Sequence, residues 1–127
     1  MQTVLVLVVE DDPLIQLDIE QTLHDGGYST ECEASGEKAI ARLEAISQIQ
    51  ALITDINLVG DITGWDVARR ARELFANLPV IYVTSVAADE WTSLGVPNSL
   101  LIAKPFAPAQ ITTAVSQLLN AGIVSPH

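Results

Sequence analysis

The sequence predicts a doubly wound α/β sandwich of three layers, a (βα)5 chain whose single parallel sheet has the order 2-1-3-4-5. Three observations lead there. Apolar runs alternate with helix-period stretches five times over 127 residues, and four of the five runs are nearly continuous Val, Ile and Leu, as strands covered on both faces require. The second run is different, because Tyr28, Thr30, Cys32 and Ala34 alternate with Ser29, Glu31, Glu33 and Ser35, the pattern of an edge strand. With right-handed crossovers, an edge-like second strand makes 2-1-3-4-5 the natural order.

The strands are expected at Val4–Val9, Tyr28–Ala34, Ala51–Asp55, Val80–Ser85 and Leu100–Ala103. The first helix starts where Asp12 offers an N-cap oxygen and Pro13 a preset first-turn φ, and it stops at Gly26-Gly27. Core-facing stripes follow: Ala39, Ile40, Leu43 and Ile46; then Val67, Ala71, Leu74 and Phe75; then Ile111, Val115, Leu118 and Leu119. The fourth helix is the atypical one. Ala87 to Leu94 leaves little room before Gly95, Val96 and Pro97 break it, so a short or irregular helix is expected. No repeat or linker divides the chain, which reads as one domain over 1–122 with a short tail over 123–127.

Composition narrows the function. Six Lys plus Arg against sixteen Asp plus Glu give a net charge of −10, opposite to the basic footprint that direct nucleic-acid binding needs. The longest apolar stretch is too short to span a membrane and has no basic flank, so a cytoplasmic protein is expected. The lone Cys32 reads as a small buried hydrophobe. Trp65, Trp91 and Tyr82 read as packing residues, and His24 and His127 have no evident partner.

Ligands of such a sheet sit beyond the carboxyl ends of the strands, where the order reverses. Every strand end there carries polar residues: Glu10, Asp11 and Asp12 after the first, Asp55 and Asn57 at the third, Thr84 at the fourth and Lys104 after the fifth. Clustered carboxylates reduce their repulsion by holding a hard cation, and Mg²⁺ suits a site with few protein oxygens because it keeps several waters. A carboxylate beside such an ion can attack phosphorus, a step governed by positioning and charge neutralisation. Thr84 and Lys104 would add a hydroxyl donor and a point charge for phosphoryl oxygens. Taken singly, each has a plainer reading: Asp12 a helix cap, Glu10 and Asp11 a solvated turn, Asp55 a strand-end cap, Thr84 a strand residue and Lys104 a surface cation.

The segments VVEDD, ITD, VTS and AKPF, in that order and spacing, resemble the receiver domain of two-component response regulators over residues 3 to 121. The resemblance implies a flavodoxin-like fold with Asp55 as phosphoacceptor, and Glu10 and Asp11 as the acidic pair that binds Mg²⁺ with Asp55 and the Asn57 main-chain carbonyl. It implies Thr84 as the switch hydroxyl, Lys104 as the lysine of the site and a cis peptide before Pro105. A histidine kinase or phosphotransfer protein would be the donor, and a downstream protein the target, with a homodimer through the fourth or fifth helix possible in principle. The chain departs from the pattern at Leu101, where receivers usually carry a switch aromatic, and in the loop from Val59 to Gly64. Two other readings compete: a degenerate receiver acting only as an interaction module, and a haloacid-dehalogenase-like phosphohydrolase. The latter needs a second Asp two residues after its nucleophile, where this chain has Asn57. The expected activity is therefore self-catalysed phosphotransfer and dephosphorylation, without turnover of an external substrate.

Overall fold

Hydrogen bonding of the apolar runs builds one five-stranded parallel sheet, β1 Leu5–Val9, β2 Ser29–Glu33, β3 Ala51–Asp55, β4 Val80–Thr84 and β5 Ser99–Ala103, in the order β2-β1-β3-β4-β5. This is a computed structural model, described over residues 4–85 and 90–123. The helices are α1 Pro13–Asp25, α2 Gly36–Ala45, α3 Gly64–Leu74, α4 Trp91–Leu94 and α5 Pro108–Ile123. The expected sheet order is found; of the expected short fourth helix the described residues show the turn Trp91–Leu94, and 86–89 and 124–127 lie outside the described residues.

Alternation along the strands splits the core in two. One set of side chains, with Leu7, Leu52, Val80 and Tyr82, packs under α2 and α3; the other, with Val6, Val8, Ile53, Ile81 and Val83, packs under α1 and α5. Strands β3 and β4 are buried along their whole length, while every residue of β2 is half-buried, as an edge strand must be. Register places Asp55 beside Val83 and Thr84 beside Ala103, so the polar strand ends arrive at one rim.

Local chemistry sets the helix ends. Asp12 Oδ1 accepts from the Leu14 N–H at 2.9 Å, and Gly26-Gly27 ends α1 with Gly27 at φ +91°. The Thr63 hydroxyl caps α3 by accepting from the Asp66 N–H, and the Asp66 carboxylate accepts from the Thr63 N–H, a reciprocal capping box. Three expectations need correction. Cys32 is half-buried against the core under α1 and α5 rather than fully buried, because it lies on the edge strand β2. Leu74 is 38% exposed, because the last turn of α3 runs out beyond the core that buries Val67 and Ala71. His24 does have a partner, since its Nε2 lies 3.0 Å from the Thr30 hydroxyl across the α1–β2 contact.

Candidate functional site

The polar strand ends singled out from the sequence converge on one rim, with Glu10, Asp11, Asp55 and Lys104 at its centre. Glu10 leaves β1, Asp55 ends β3 and Lys104 follows β5, and the Lys104 ammonium donates to Glu10 Oε1 at 2.8 Å and to Asp55 Oδ2 at 3.0 Å. Carboxylate oxygens of Glu10, Asp11 and Asp55 lie within 4.8 Å of one another. Asn57 contributes its N–H to Asp55 Oδ1 at 3.2 Å, while its side chain is exposed. Thr84 is buried at the end of β4, and its carbonyl accepts from the Lys104 N–H at 2.9 Å, which ties the β5 end to the β4 end. The Lys104–Pro105 peptide is cis.

Burial governs the electrostatics. Glu10 is only 1% exposed, and this desolvation pushes its carboxyl above the ordinary range, against the Lys104 ammonium and the Asp12 N–H, which favour the charged form, and with the neighbouring Asp55 charge. Burial also acts against the charge on Lys104, yet hydrogen bonds to Glu10 and Asp55 and the charges of both carboxylates outweigh it and raise its pKa. The lysine is therefore a fixed cation held between two acids. It offsets part of their repulsion, and Asp11, which accepts from the Val59 N–H at 3.1 Å, completes an all-oxygen cluster suited to a hard divalent ion.

Several supports are not visible in the sequence. The Gln16 side-chain amide donates to Glu10 O at 3.1 Å and to Glu33 O at 3.5 Å, joining the ends of β1 and β2 behind the acidic pair. A Cβ on Gly64 would stand 2.0 Å from the Asp55 carbonyl oxygen, so only glycine lets α3 start against the end of β3. Tyr82 is more than packing: its ring lies 4.7 Å from that of Trp65, and its hydroxyl oxygen accepts from the Val96 N–H at 3.1 Å. Leu101, its partner across β4 and β5, is half-buried in the same cluster. The only sequence signals for these supports were a glycine before a helix pattern and an aromatic in a buried strand.

A strand-end acidic cluster bridged by a lysine, on a 2-1-3-4-5 sheet, defines an α/β domain with a candidate cation site at the carboxyl ends of its strands, and comparison with known proteins gives the family. The family profile described as response regulator receiver domain matches residues 6–116. A response regulator receiver protein from Sinorhizobium medicae superposes with a TM-score of 0.92 at 45% identity, covering 94% of this chain and 97% of that one. The receiver domain of sensor histidine kinase PA1611 from Pseudomonas aeruginosa has a magnesium ion in its active-site cleft; it superposes with a TM-score of 0.80 at 25% identity, covering 94% of this chain and 99% of that one. Among curated proteins, the phyllosphere-induced regulator PhyR of Methylorubrum extorquens is 30% identical over 115 residues, 90% of this chain but 43% of that protein. The chain spans about half or less of the curated relatives it matches. It belongs to the response regulator receiver domain family, whose members are signalling domains that bind Mg²⁺ at an acidic site.

Proposed function

We propose that this receiver accepts a phosphoryl group on Asp55 from a phosphohistidine of a histidine kinase or phosphotransfer protein, and that the modified site changes binding to a downstream protein. The observation that carries this reading is the Lys104 ammonium bound at once to Glu10 and Asp55, inside a cluster of three carboxylates. An Asp55 oxygen attacks phosphorus, the P–N bond to the donor imidazole breaks, and its electron pair stays on the imidazole nitrogen, which takes a proton. Bound Mg²⁺ supplies charge neutralisation for the incoming phosphoryl group. Glu10, Asp11, Asp55 and the Asn57 carbonyl are its proposed ligands. Lys104 pairs with a phosphoryl oxygen, the Thr84 hydroxyl donates to another, and the reading puts the protein in the cytoplasm, where ATP-fed kinases work. The proposed functional unit is 1–122.

Exposed apolar residues beside the cluster suit a docking donor. Leu14, in the first turn of α1, is 74% exposed, and Val59, whose N–H binds Asp11, is 71% exposed. The test is intact-mass analysis after incubation with Mg²⁺ and a small acyl-phosphate donor. A gain of one phosphoryl group that requires both Mg²⁺ and Asp55, and is lost in Asp55→Asn, is expected. No gain with a folded, Mg²⁺-binding protein, repeated with candidate kinases, would favour the interaction-module reading that Leu101 motivates.

A further inference from the structure

From the loop between β3 and α3, the Val59 N–H donates to Asp11 Oδ2 at 3.1 Å, and among the described residues the Asp11 carboxylate has no other hydrogen bond. That amide is not held in place by its own side chain, which is 71% exposed. Its direction has to come from the residues on either side. Leu58, before it, is buried in the core under α2 and α3. After it, the loop lies on the first turn of α2.

Two contacts make that fit close. Gly36, the first residue of α2, is buried against the loop: a Cβ there would stand 2.5 Å from Ile62 Cγ2, 2.7 Å from Ile62 Cβ and 2.9 Å from the Ile62 carbonyl oxygen. No side chain fits at position 36 unless the loop backbone moves. Gly60 lies at φ +102°, which glycine adopts without strain, and a Cβ there would stand 3.0 Å and 3.2 Å from the two Glu37 carboxylate oxygens. Loop residues 60 and 62 therefore rest on helix residues 37 and 36, and Thr63 then caps α3. The stretch that follows the Val59 amide is thus fixed to two helices.

We propose that the Gly36–Glu37 turn is a seat for this loop and that the seat aims the Val59 N–H at Asp11, which makes Gly36 and Ile62 positioning residues for the cation site. Neither residue offers an oxygen to the cluster. With one oxygen bound to the amide, the Asp11 carboxylate is oriented before a cation arrives, and supports of this kind behind a metal ligand are worth about tenfold or more in affinity. The inference rests on the reading that Glu10, Asp11 and Asp55 hold Mg²⁺.

The test is Mg²⁺ titration by calorimetry at fixed ionic strength, with exchange of the Val59 amide followed by NMR in the metal-free protein. Gly36→Ala puts a methyl group where Ile62 lies and keeps a good helix former in α2. Ile62→Ala empties the seat from the loop side. Ala41→Gly, on the exposed face of α2, loosens the helix and leaves the loop contact alone. The Mg²⁺ dissociation constant is expected to rise about tenfold in each seat variant, with faster Val59 exchange, and to stay within about twofold of the parent in Ala41→Gly. The double variant Gly36→Ala/Ile62→Ala should weaken binding by less than the product of the single effects, because both act on one contact. Unchanged Mg²⁺ affinity in both seat variants, or an equal loss in Ala41→Gly, would overturn the proposal. So would a loss of affinity with Val59 exchange unaltered. A parent that binds no Mg²⁺ would overturn the reading of the cluster and this inference with it, an outcome told apart by the parent titration alone.

Discussion

Gln16 shows how a site depends on residues that never touch its ligand. Its amide donates to the Glu10 and Glu33 carbonyls and adds to the backbone bond from the Glu10 N–H to Glu33 O, so it braces the peptide that carries Glu10 into Asp11. Residues that orient metal ligands from behind typically cost tenfold or more in affinity when removed. Gln16→Ala is therefore expected to weaken Mg²⁺ binding roughly tenfold while lowering stability by only about 1 kcal/mol, the worth of an ordinary hydrogen bond. Titration calorimetry set beside urea unfolding separates the two; equal small effects on both would make Gln16 merely structural. The same scale explains what the sequence could show. Glu10, Asp11, Asp55 and Lys104 have plainer readings one by one, and only their recurrence at successive strand ends let the sequence place them at one rim, where the structure brings them together. The Gln16 bond was hidden, since a glutamine in an amphipathic helix is ordinary until the neighbouring carbonyls are placed. Cys32 gives a second expectation at this scale. Burial, with the nearby Glu20 and Glu31 charges, pushes its thiol up to about 11. Its thiolate fraction at pH 8 should be at least about a hundredfold below that of an unhindered cysteine. Alkylation rates measured from pH 8 to 11 should climb throughout; a plateau near pH 9 would show an ordinary thiol.

Among the elements, α3 links core and site most directly, because its first residue, Gly64, meets the Asp55 carbonyl and its cap is the Thr63–Asp66 box. The Thr63 N–H, then the Thr63 hydroxyl and the Arg69 guanidinium, hold the Asp66 carboxyl below its usual range against the opposing effect of burial. A carboxyl lowered on folding stabilises the fold above its unfolded pKa of about 4, and this contribution is lost as pH falls through the lower folded value. Thr63→Ala should cost about 1 kcal/mol at pH 7, and the difference from the parent should shrink as denaturation is measured from pH 5 down towards pH 2. A gap that stays constant would remove Asp66 from the account. Strands were legible almost to the residue, since nearly continuous Val, Ile and Leu admit few readings once turn residues bound them. Helix edges were less so. Leu74 matched the period of α3 but not its contact, because a stripe gives a direction and not the point at which the packed surface ends. His24 escaped for a related reason: its bond to Thr30 depends on how α1 lies over β2, and neither residue signals it alone. The C-terminal end of α4 was written in Gly95, where a Cβ would stand 2.4 Å from the Trp91 ring, and in Pro97.

Over the whole molecule, a net charge of −10 concentrated before residue 91 repels itself, and three of its carboxylates are crowded at one rim. A divalent ion that binds only the folded chain shifts the folding equilibrium by mass action, about 2.7 kcal/mol at a hundredfold excess over its dissociation constant. For a domain of this size that corresponds to a rise of roughly 10 °C in Tm. Ionic strength alone also relieves the general repulsion, so the comparison must be made at matched ionic strength with a monovalent salt. Thermal unfolding in Mg²⁺ should exceed the matched-salt value by most of that rise, and a chelator should return it. Asp11→Asn keeps the Lys104 bridge between Glu10 and Asp55 intact, so its Tm in monovalent salt should stay close to that of the parent. Its Mg²⁺-specific increment should fall by more than half, because one of three clustered oxygen donors has lost its charge. Equal increments in the parent and in Asp11→Asn would mean that Mg²⁺ acts on the acidic surface at large. An increment confined to the parent would tie the stability of the fold to the cluster around Asp55, the proposed phosphoacceptor.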